Sequence, residues 1–269
     1  MYPLITLTTD FGTHDSYVGI MKGVMLSICP DARLIDNTHH IGPQDINAAA
    51  LAAQALTPYF PPHTVHLVVV DPGVGSERRP IALETPQGRY VGPDNGVFGL
   101  VWQQAREQHP PTQVRAVLLD DPRFWRPEVS ATFHGRDMFA PVAAHLASGT
   151  ALDALGTRID DLITLPIHAP VFEMPTQVVG RIIYIDHFGN CISNIRAEHL
   201  AHLGPIEDLY VFIPDRWLGI VQTYANVPQG APLALIGSDG YLEVAVRNGN
   251  ANQSLGIALG TEIRVRRVS

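Results

Sequence analysis

The amino-acid sequence predicts two parts: an α/β amino-terminal domain on a mostly parallel, doubly wound sheet, and an all-β carboxyl-terminal domain. Three observations carry this. Strand-like and helix-like stretches alternate from Leu4 to Val70, the pattern of successive strand–helix–strand units. The run Val65-His66-Leu67-Val68-Val69-Val70 is β-branched and too short for a lone helix, so it reads as a buried central strand. Beyond Pro166, Pro170 and Pro175 the character changes to short alternating or β-branched segments separated by turns, as in a barrel or sandwich. The expected division is residues 1–165, a Pro-rich linker at 166–177, and residues 178–269.

Leu4-Ile5-Thr6-Leu7-Thr8-Thr9 is the first strand and stops at Asp10-Phe11-Gly12. Asp15 or Ser16 caps a helix in which Val18, Met21, Met25 and Ile28 recur at helical spacing, and Pro30 closes it. Arg33-Leu34-Ile35-Asp36 is a second strand. Asp45 caps an Ala-rich helix from about Ile46 to Leu56, which Pro58 ends. The central strand ends at Asp71-Pro72-Gly73, where proline removes a donor and Gly73 and Gly75 permit a sharp loop carrying Arg78 and Arg79. Pro80 to Glu84 and Arg89 to Val91 flank Thr85-Pro86-Gln87-Gly88 as a hairpin. The turn Gly92-Pro93-Asp94-Asn95-Gly96 precedes the apolar segment Val97 to Trp102, and Val114 to Leu119 is another strand. Thr132-Phe133-His134-Gly135-Arg136-Asp137 leads into a helix from about Met138 to Leu146. In the second part, strands are expected at Val178–Ile185, Leu209–Ile213, Gly219–Thr223, Leu233–Ile236, Tyr241–Val246 and Glu262–Val268.

Bulk properties bound the function. A chain of 269 residues with 46% hydrophobic and 16% charged residues has a real core and is not a disordered segment. A net charge of −8, with no basic cluster longer than Arg266-Arg267, argues against a nucleic-acid partner. Cys29 and Cys191 are too few for a disulfide framework or a cysteine-rich zinc site. The start of the chain lacks a signal-peptide pattern, and no apolar run approaches the ~20 residues of a membrane span. A cytoplasmic protein is therefore expected.

Asp10, Asp71 and Asp94-Asn95 each follow a predicted strand of the first domain. In a parallel sheet those ends share one edge, where open α/β sheets place ligands. His134, at a helix start, is a candidate for the same edge; an Asp, an Arg and a His together suit holding a water and taking its proton. Taken singly, each would also serve as an ordinary turn cap or core group. His39-His40 is a weak metal pair, because neighbours on a strand point to opposite faces and no partners stand at ligand spacing. Gly73-Val74-Gly75 is not a dinucleotide fingerprint, and neither a phosphate-cradling P-loop nor a Gly-x-Ser-x-Gly elbow is present.

Six ordered motifs resemble the S-adenosyl-L-methionine hydroxide adenosyltransferase family, relatives of the fluorinase and chlorinase enzymes. They are Thr8-Thr9-Asp10-Phe11-Gly12, Asp71-Pro72-Gly73-Val74-Gly75, Gly92-Pro93-Asp94-Asn95-Gly96, Thr132-Phe133-His134-Gly135-Arg136-Asp137, Ile185-Asp186-His187-Phe188-Gly189-Asn190 and Gly237-Ser238-Asp239-Gly240-Tyr241-Leu242-Glu243. The resemblance implies an α/β domain followed by a β-barrel, a homotrimer with sites between subunits, and hydrolysis of S-adenosyl-L-methionine to adenosine and L-methionine without metal or cofactor. It implies Asp71, Arg78 and His134 as the water-activating set, Arg78 taking the role over Arg79 because it stands seven residues after Asp71. It places Asp10 on the ribose hydroxyls, Tyr224 on the adenine face, and Asn190 with the backbone near Val246 on the adenine edge. Asp186 and Ser238 fall to the methionine amino and carboxylate ends; Glu243 lines the same wall, and Asn95 joins the substrate-binding set. The halogenase branch has Tyr at the position of Asp71 and lacks the histidine at 134, and a carboxylate there would repel halide. A chlorinase-like enzyme, a non-catalytic adenosine-binding module and a metal-dependent hydrolase are the alternatives.

Overall fold

The computed structural model describes residues 2–165 and 170–268, and the chain divides into two units, Met1–Leu165 and Pro166–Ser269. The first unit runs β1 (Leu4–Thr9), α1 (Tyr17–Ile28), β2 (Arg33–Thr38), α2 (Ile46–Leu56), β3 (Val65–Val69), β4 (Pro80–Thr85), β5 (Gly88–Pro93), α3 (Gly99–Gln108), β6 (Arg115–Leu118), α4 (Ala140–Ala147) and β7 (Arg158–Ile159). Its sheet has the order β2-β1-β3-β5-β4-β6-β7. β1 pairs in parallel with β2 and β3, and β3 with β5; the β4–β5 hairpin, β6 and β7 add antiparallel neighbours. The chain steps from β1 out to β2 and then back across β1 to β3. The order reverses there, and the carboxyl ends of β1 and β3 flank the switch point.

Alternation along the strands feeds two cores. Val65, Leu67 and Val69 pack with Met21 and Met25 of α1 and Val142 and Leu146 of α4. Val68 and Val70 pack with Ala49 and Ala53 of α2 and Val101 and Trp102 of α3. A strand covered on both faces is largely apolar, and every residue of β3 is buried, His66 being its polar member. Asp45 caps α2 by accepting from the Ala48 N–H at 2.9 Å. The apolar segment Val97 to Trp102 turns out to open α3.

The second unit contains β8 (Val171–Met174), β9 (Gln177–Ile185), β10 (Cys191–Arg196), α5 (Ala197–Ala201), β11 (Leu209–Ile213), β12 (Arg216–Gly219), β13 (Pro232–Ile236), β14 (Tyr241–Val246), α6 (Ala251–Leu255) and β15 (Glu262–Arg267). The strand order is β12-β11-β15-β9-β10-β14-β13, with β8 also on β9, and every pair is antiparallel. A parallel bridge, Ile220 to Ala234, joins the two ends of that order, reinforced by the Val221 N–H donating to the Ala234 carbonyl at 2.8 Å. The sheet is thereby a nearly closed barrel, which removes most free strand edge. Val178, Ile182, Val211, Leu242, Val244, Ile263 and Val265 fill it.

Three elements differ from expectation. Of the expected linker, residues 166–169 lie outside the described ones, and Val171–Met174 is a strand on β9, its flanking prolines bounding the strand rather than breaking it. β10 has no forerunner in the sequence reading, because buried Ser193 and Asn194 interrupt its apolar pattern. Both are satisfied by backbone: Ser193 Oγ donates to the Leu242 carbonyl at 2.9 Å, and Asn194 Oδ1 accepts from the Arg181 N–H at 2.7 Å. The strand expected at Gly219–Thr223 forms earlier, at Arg216–Gly219, after a tight turn in which Asp215 takes a φ of 72°.

His66 of β3 is fully buried, its Nδ1 2.9 Å from Thr6 Oγ1, and burial pushes its pKa down to about 4. Between pH 6.5 and about 4 the unfolded chain takes up a proton that the folded chain refuses. Folding stability attributable to this group is complete above pH 6.5 and falls on acidification, by roughly 3 kcal/mol in all. Thermal unfolding across this window should show that loss, and His66→Gln should flatten it; an unchanged slope in the variant would assign the loss elsewhere.

Candidate active site

Thr9 lies beside Val69 in the parallel pairing of β1 with β3, so Asp10 and Asp71 leave the sheet at the same edge. After Asp71 the chain makes a tight loop, with the Val74 N–H on the Asp71 carbonyl at 3.2 Å and the Ser76 N–H on the Gly73 carbonyl at 3.1 Å. Gly75 has a φ of +77°, and a Cβ there would sit 2.3 Å from the Ala131 carbonyl oxygen. Glycine is thus required both for the turn and for the loop to lie against the segment leading to His134. The loop returns Arg78 onto Asp71. Arg78 Nε donates to both carboxylate oxygens at 2.9 and 3.0 Å, and Nη2 donates to Oδ2 at 2.5 Å. Both side chains are nearly buried, at 9% and 5% exposure.

His134 arrives from the other side of the edge. It precedes a π-helical turn, Gly135–Phe139, that opens α4; such turns recur at functional sites. A Cβ on Gly135 would press on Met21, Phe133 and Val69 at 3.3 Å, so glycine there eases the close approach of the helix start to β3. Arg78 Nη2 lies 2.8 Å from His134 Nδ1. Guanidinium nitrogens only donate, so Nδ1 carries the lone pair and the proton of the neutral ring is on Nε2. Burial and the Arg78 charge hold the His134 pKa below its ordinary value of 6.5, against the opposing pull of Asp71 and Asp137. The three residues form one hydrogen-bonded chain, Asp71–Arg78–His134.

Arg79 turns the other way. It donates to Asp94 Oδ2 through Nε at 2.8 Å and Nη2 at 2.5 Å, and to Asp161 Oδ1 at 2.9 Å. Asp94, 1% exposed at its side chain, also accepts from the Ile163 N–H at 2.9 Å. Asn95 Nδ2 donates to the Val70 carbonyl at 2.9 Å and Oδ1 accepts from the Val97 N–H at 3.2 Å, which ties the end of β3 to the turn before α3. Asp10 Oδ2 accepts from the Gln44 N–H at 2.8 Å, with Gln44 at a φ of 65°. Of the histidine pair, His39 shares a hydrogen bond through Nδ1 with Thr9 Oγ1 at 2.9 Å, and its Nε2 lies 2.9 Å from Asp36 Oδ1.

A second cluster forms in the barrel unit. Asp186 follows β9 and folds its carboxylate into the turn, accepting from the Phe188 and Asn190 N–H groups at 2.9 and 2.8 Å and from Asn190 Nδ2 at 2.8 Å. Asn250, which caps α6, packs its amide over Gly189. Tyr224 donates its hydroxyl to Glu243 Oε1 at 2.6 Å. Burial pushes the Glu243 carboxyl up, with Asp186 and Asp239 adding to it against the Tyr224 bond. The same burial, with Asp186 and Glu243, pushes the Cys191 thiol up to about 11. Asp186, Asn190, Cys191, Tyr224 and Glu243 therefore share one neighbourhood. Ser238 lies exposed in the turn before β14, and Val246 ends that strand, buried. The sequence reading missed Gln44, Cys191 and Asn250. Only Asn250 carried a signal, a capping residue before Ala-Asn-Gln.

The sequence profiles of the SAM hydroxide adenosyltransferase N-terminal and C-terminal domains match residues 5–156 and 180–264. The chain belongs to the SAM hydroxide adenosyltransferase family. A protein of Thermus thermophilus named (R)-S-adenosyl-L-methionine hydrolase is 39% identical, the match covering 98% of this chain and 100% of the relative. A fluorinase of Actinopolyspora mzabensis is more distant, 28% identical over 98% of this chain and 97% of its own. The crystal structure of an uncharacterized conserved protein from Thermotoga maritima superposes with a TM-score of 0.89 at 34% identity, covering 98% of this chain and 100% of that one. Within this SAM hydroxide adenosyltransferase fold, the two arginines of the first loop have separate duties. Replacing Arg79 by Met leaves the buried Asp94 carboxylate without its charge partner and should lower unfolding free energy by about 3 kcal/mol, the low end for a buried pair because Arg79 is itself partly exposed. Urea denaturation checks this; an unchanged midpoint would show that the pair adds nothing to stability.

Proposed function

We propose that the protein hydrolyses S-adenosyl-L-methionine to adenosine and L-methionine by in-line attack of water on the ribose C5′. The carrying observation is the hydrogen-bonded chain Asp71–Arg78–His134 at the sheet's switch point. Near-full-length similarity to relatives named for this hydrolysis supports it.

The sulfonium leaves as a neutral thioether, so no general acid, metal or cofactor is needed at sulfur. The site has to align a water and take its proton as the C–O bond forms. His134 has its Nδ1 lone pair engaged by Arg78 and its proton on Nε2, so in this arrangement it donates. Arg78 can only donate. Asp71 is left as the acceptor, with Arg78 and His134 orienting the water. A carboxylate at this place also opposes halide entry, since like charges in a poorly solvated pocket repel. Asp10 binds the ribose hydroxyls and Asn95 supports that edge. Tyr224 stacks on adenine, Asn190 and the backbone near Val246 read its edge, Asp186 and Ser238 take the amino and carboxylate ends of methionine, and Glu243 lines the same wall.

The candidate residues divide between the two units, and we place the complete site between neighbouring subunits of a homotrimer. The exposed Phe188, 72% accessible in the turn after Asp186, fits a surface that a neighbour covers. No helix among the described residues is long and apolar enough to cross a membrane, and two free, buried cysteines suit the reducing cytoplasm.

Purified protein incubated with S-adenosyl-L-methionine, with and without chloride and chelator, should release adenosine and methionine in equal amounts under all conditions. A chlorinated nucleoside would move the protein to halogenation, and bound adenosine without turnover would make it a binding module. Asp71→Asn should lower kcat about 100-fold or more while KM stays within a few-fold; unchanged turnover would remove Asp71 from the mechanism. Because protonated His134 would confront Arg78, the neutral ring is the active form. With its pKa held below 6.5, kcat/KM should fall on acidification with its midpoint below pH 6.5. A midpoint at or above 6.5 would contradict this role.

A further inference from the structure

The segment that carries Tyr224 has little regular structure of its own. It is a single 3-10 turn, Tyr224–Asn226, closed by the Thr223 N–H donating to Asn226 Oδ1 at 2.9 Å. Two side chains fasten it to β14. Arg247, just past the end of β14, donates through Nη1 to the Val227 carbonyl at 2.6 Å and to that of Ala225 at 3.4 Å. Glu243, in the middle of β14 between Ile192 of β10 and Leu235 of β13, accepts the Tyr224 hydroxyl.

The two partners of that second contact differ in freedom. Glu243 is 7% exposed, in a strand paired on both sides, and its Oε2 lies 3.0 Å from where a Cβ of Gly237 would stand. The absence of a side chain at Gly237 thus lets the carboxyl group sit against the turn that bears Ser238. Tyr224 is 41% exposed. A half-exposed tyrosine on a short turn has free rotamers, and fixing it on binding would cost entropy. A hydrogen bond to an acceptor built into the barrel removes that cost beforehand.

We propose that Glu243 is a positioning residue that holds the Tyr224 ring in a fixed plane, ready to stack on the purine of the substrate. This deepens the reading of the site as one for S-adenosyl-L-methionine and rests on it. The contact that matters is the acceptor oxygen rather than the negative charge. Glu243 reaches the purine only through the tyrosine, so its loss should appear in affinity and not in the chemical step.

The test is a double-mutant cycle with Glu243→Ala, Tyr224→Phe and the pair, read on KM, kcat and the dissociation constant of adenosine, with Glu243→Gln alongside. Each single variant should raise KM and the adenosine dissociation constant by about tenfold with kcat within about threefold. The double variant should be no worse than the worse single one. Glu243→Gln, which keeps an acceptor, should recover most of what Glu243→Ala loses, and this recovery also separates the role from general damage to the barrel. Additive losses, a fall in kcat at constant affinity, or a Gln variant as weak as the Ala variant would overturn the proposal. A wild-type protein that binds adenosine without hydrolysing S-adenosyl-L-methionine would sink the function reading, and the adenosine cycle would still judge Glu243.

Discussion

A carboxylate nearly shut off from water at the end of β3 is tolerable only with a charge partner and filled hydrogen bonds. Arg78 supplies both to Asp71, and much of the first unit is arranged to let it. The loop between them must reverse within seven residues, which the positive φ of Gly75 permits. It must also lie flat on the backbone before His134, which the missing side chain at Gly75 permits. The second guanidinium nitrogen then faces His134 Nδ1. One buried ion pair therefore sets the position of the Asp71 carboxylate, the orientation of the imidazole and the path of the loop.

Much of this edge was legible in the sequence, and the reason is local. Asp71 follows an apolar β-branched run and precedes Pro-Gly, so strand, strand end and loop are all coded within ten residues. Asp10 is marked in the same way. The choice between Arg78 and Arg79 was not legible from the residues, since both stand on one loop with equal reach. It rested on a family spacing. In the fold, which arginine meets Asp71 follows from partners distant in sequence: Asp94 and Asp161 draw Arg79 aside, 15 and 82 residues away. His134 is likewise brought in over 56 residues by the docking of the π-helical turn on β3, which no periodicity encodes.

The barrel was less legible for a different reason. Its strands are short, and the one that the pattern hid, β10, buries Ser193 and Asn194 by bonding them to the backbone of adjacent strands. Alternation of apolar and polar residues fails as a signal wherever a polar side chain is satisfied inside. The same chemistry joins Tyr224 to Glu243 across 19 residues, a contact that the spacing of the two residues does not suggest. Turns such as Asp186 to Asn190 were visible as turns. That Asp186 folds back to organise Asn190 emerged only from the hydrogen bonds.

The direction of the hydrogen bonds narrows the chemistry further than residue identity does. An Asp, an Arg and a His in one crevice leave two possible bases, and sequence alone does not choose between them. Once the arginine lies between the other two, the choice is constrained: Nη2 donates to both Asp71 and His134, so the imidazole nitrogen that could receive a proton is already occupied. Burial and the neighbouring guanidinium disfavour a second proton on the ring, so the histidine stays a donor across the neutral range. In the proposed hydrolysis a carboxylate would be a weak base, yet the attacking water becomes strongly acidic as it bonds to carbon. A weak base placed correctly is then sufficient, and a sulfonium that departs uncharged asks nothing of the site at its other end.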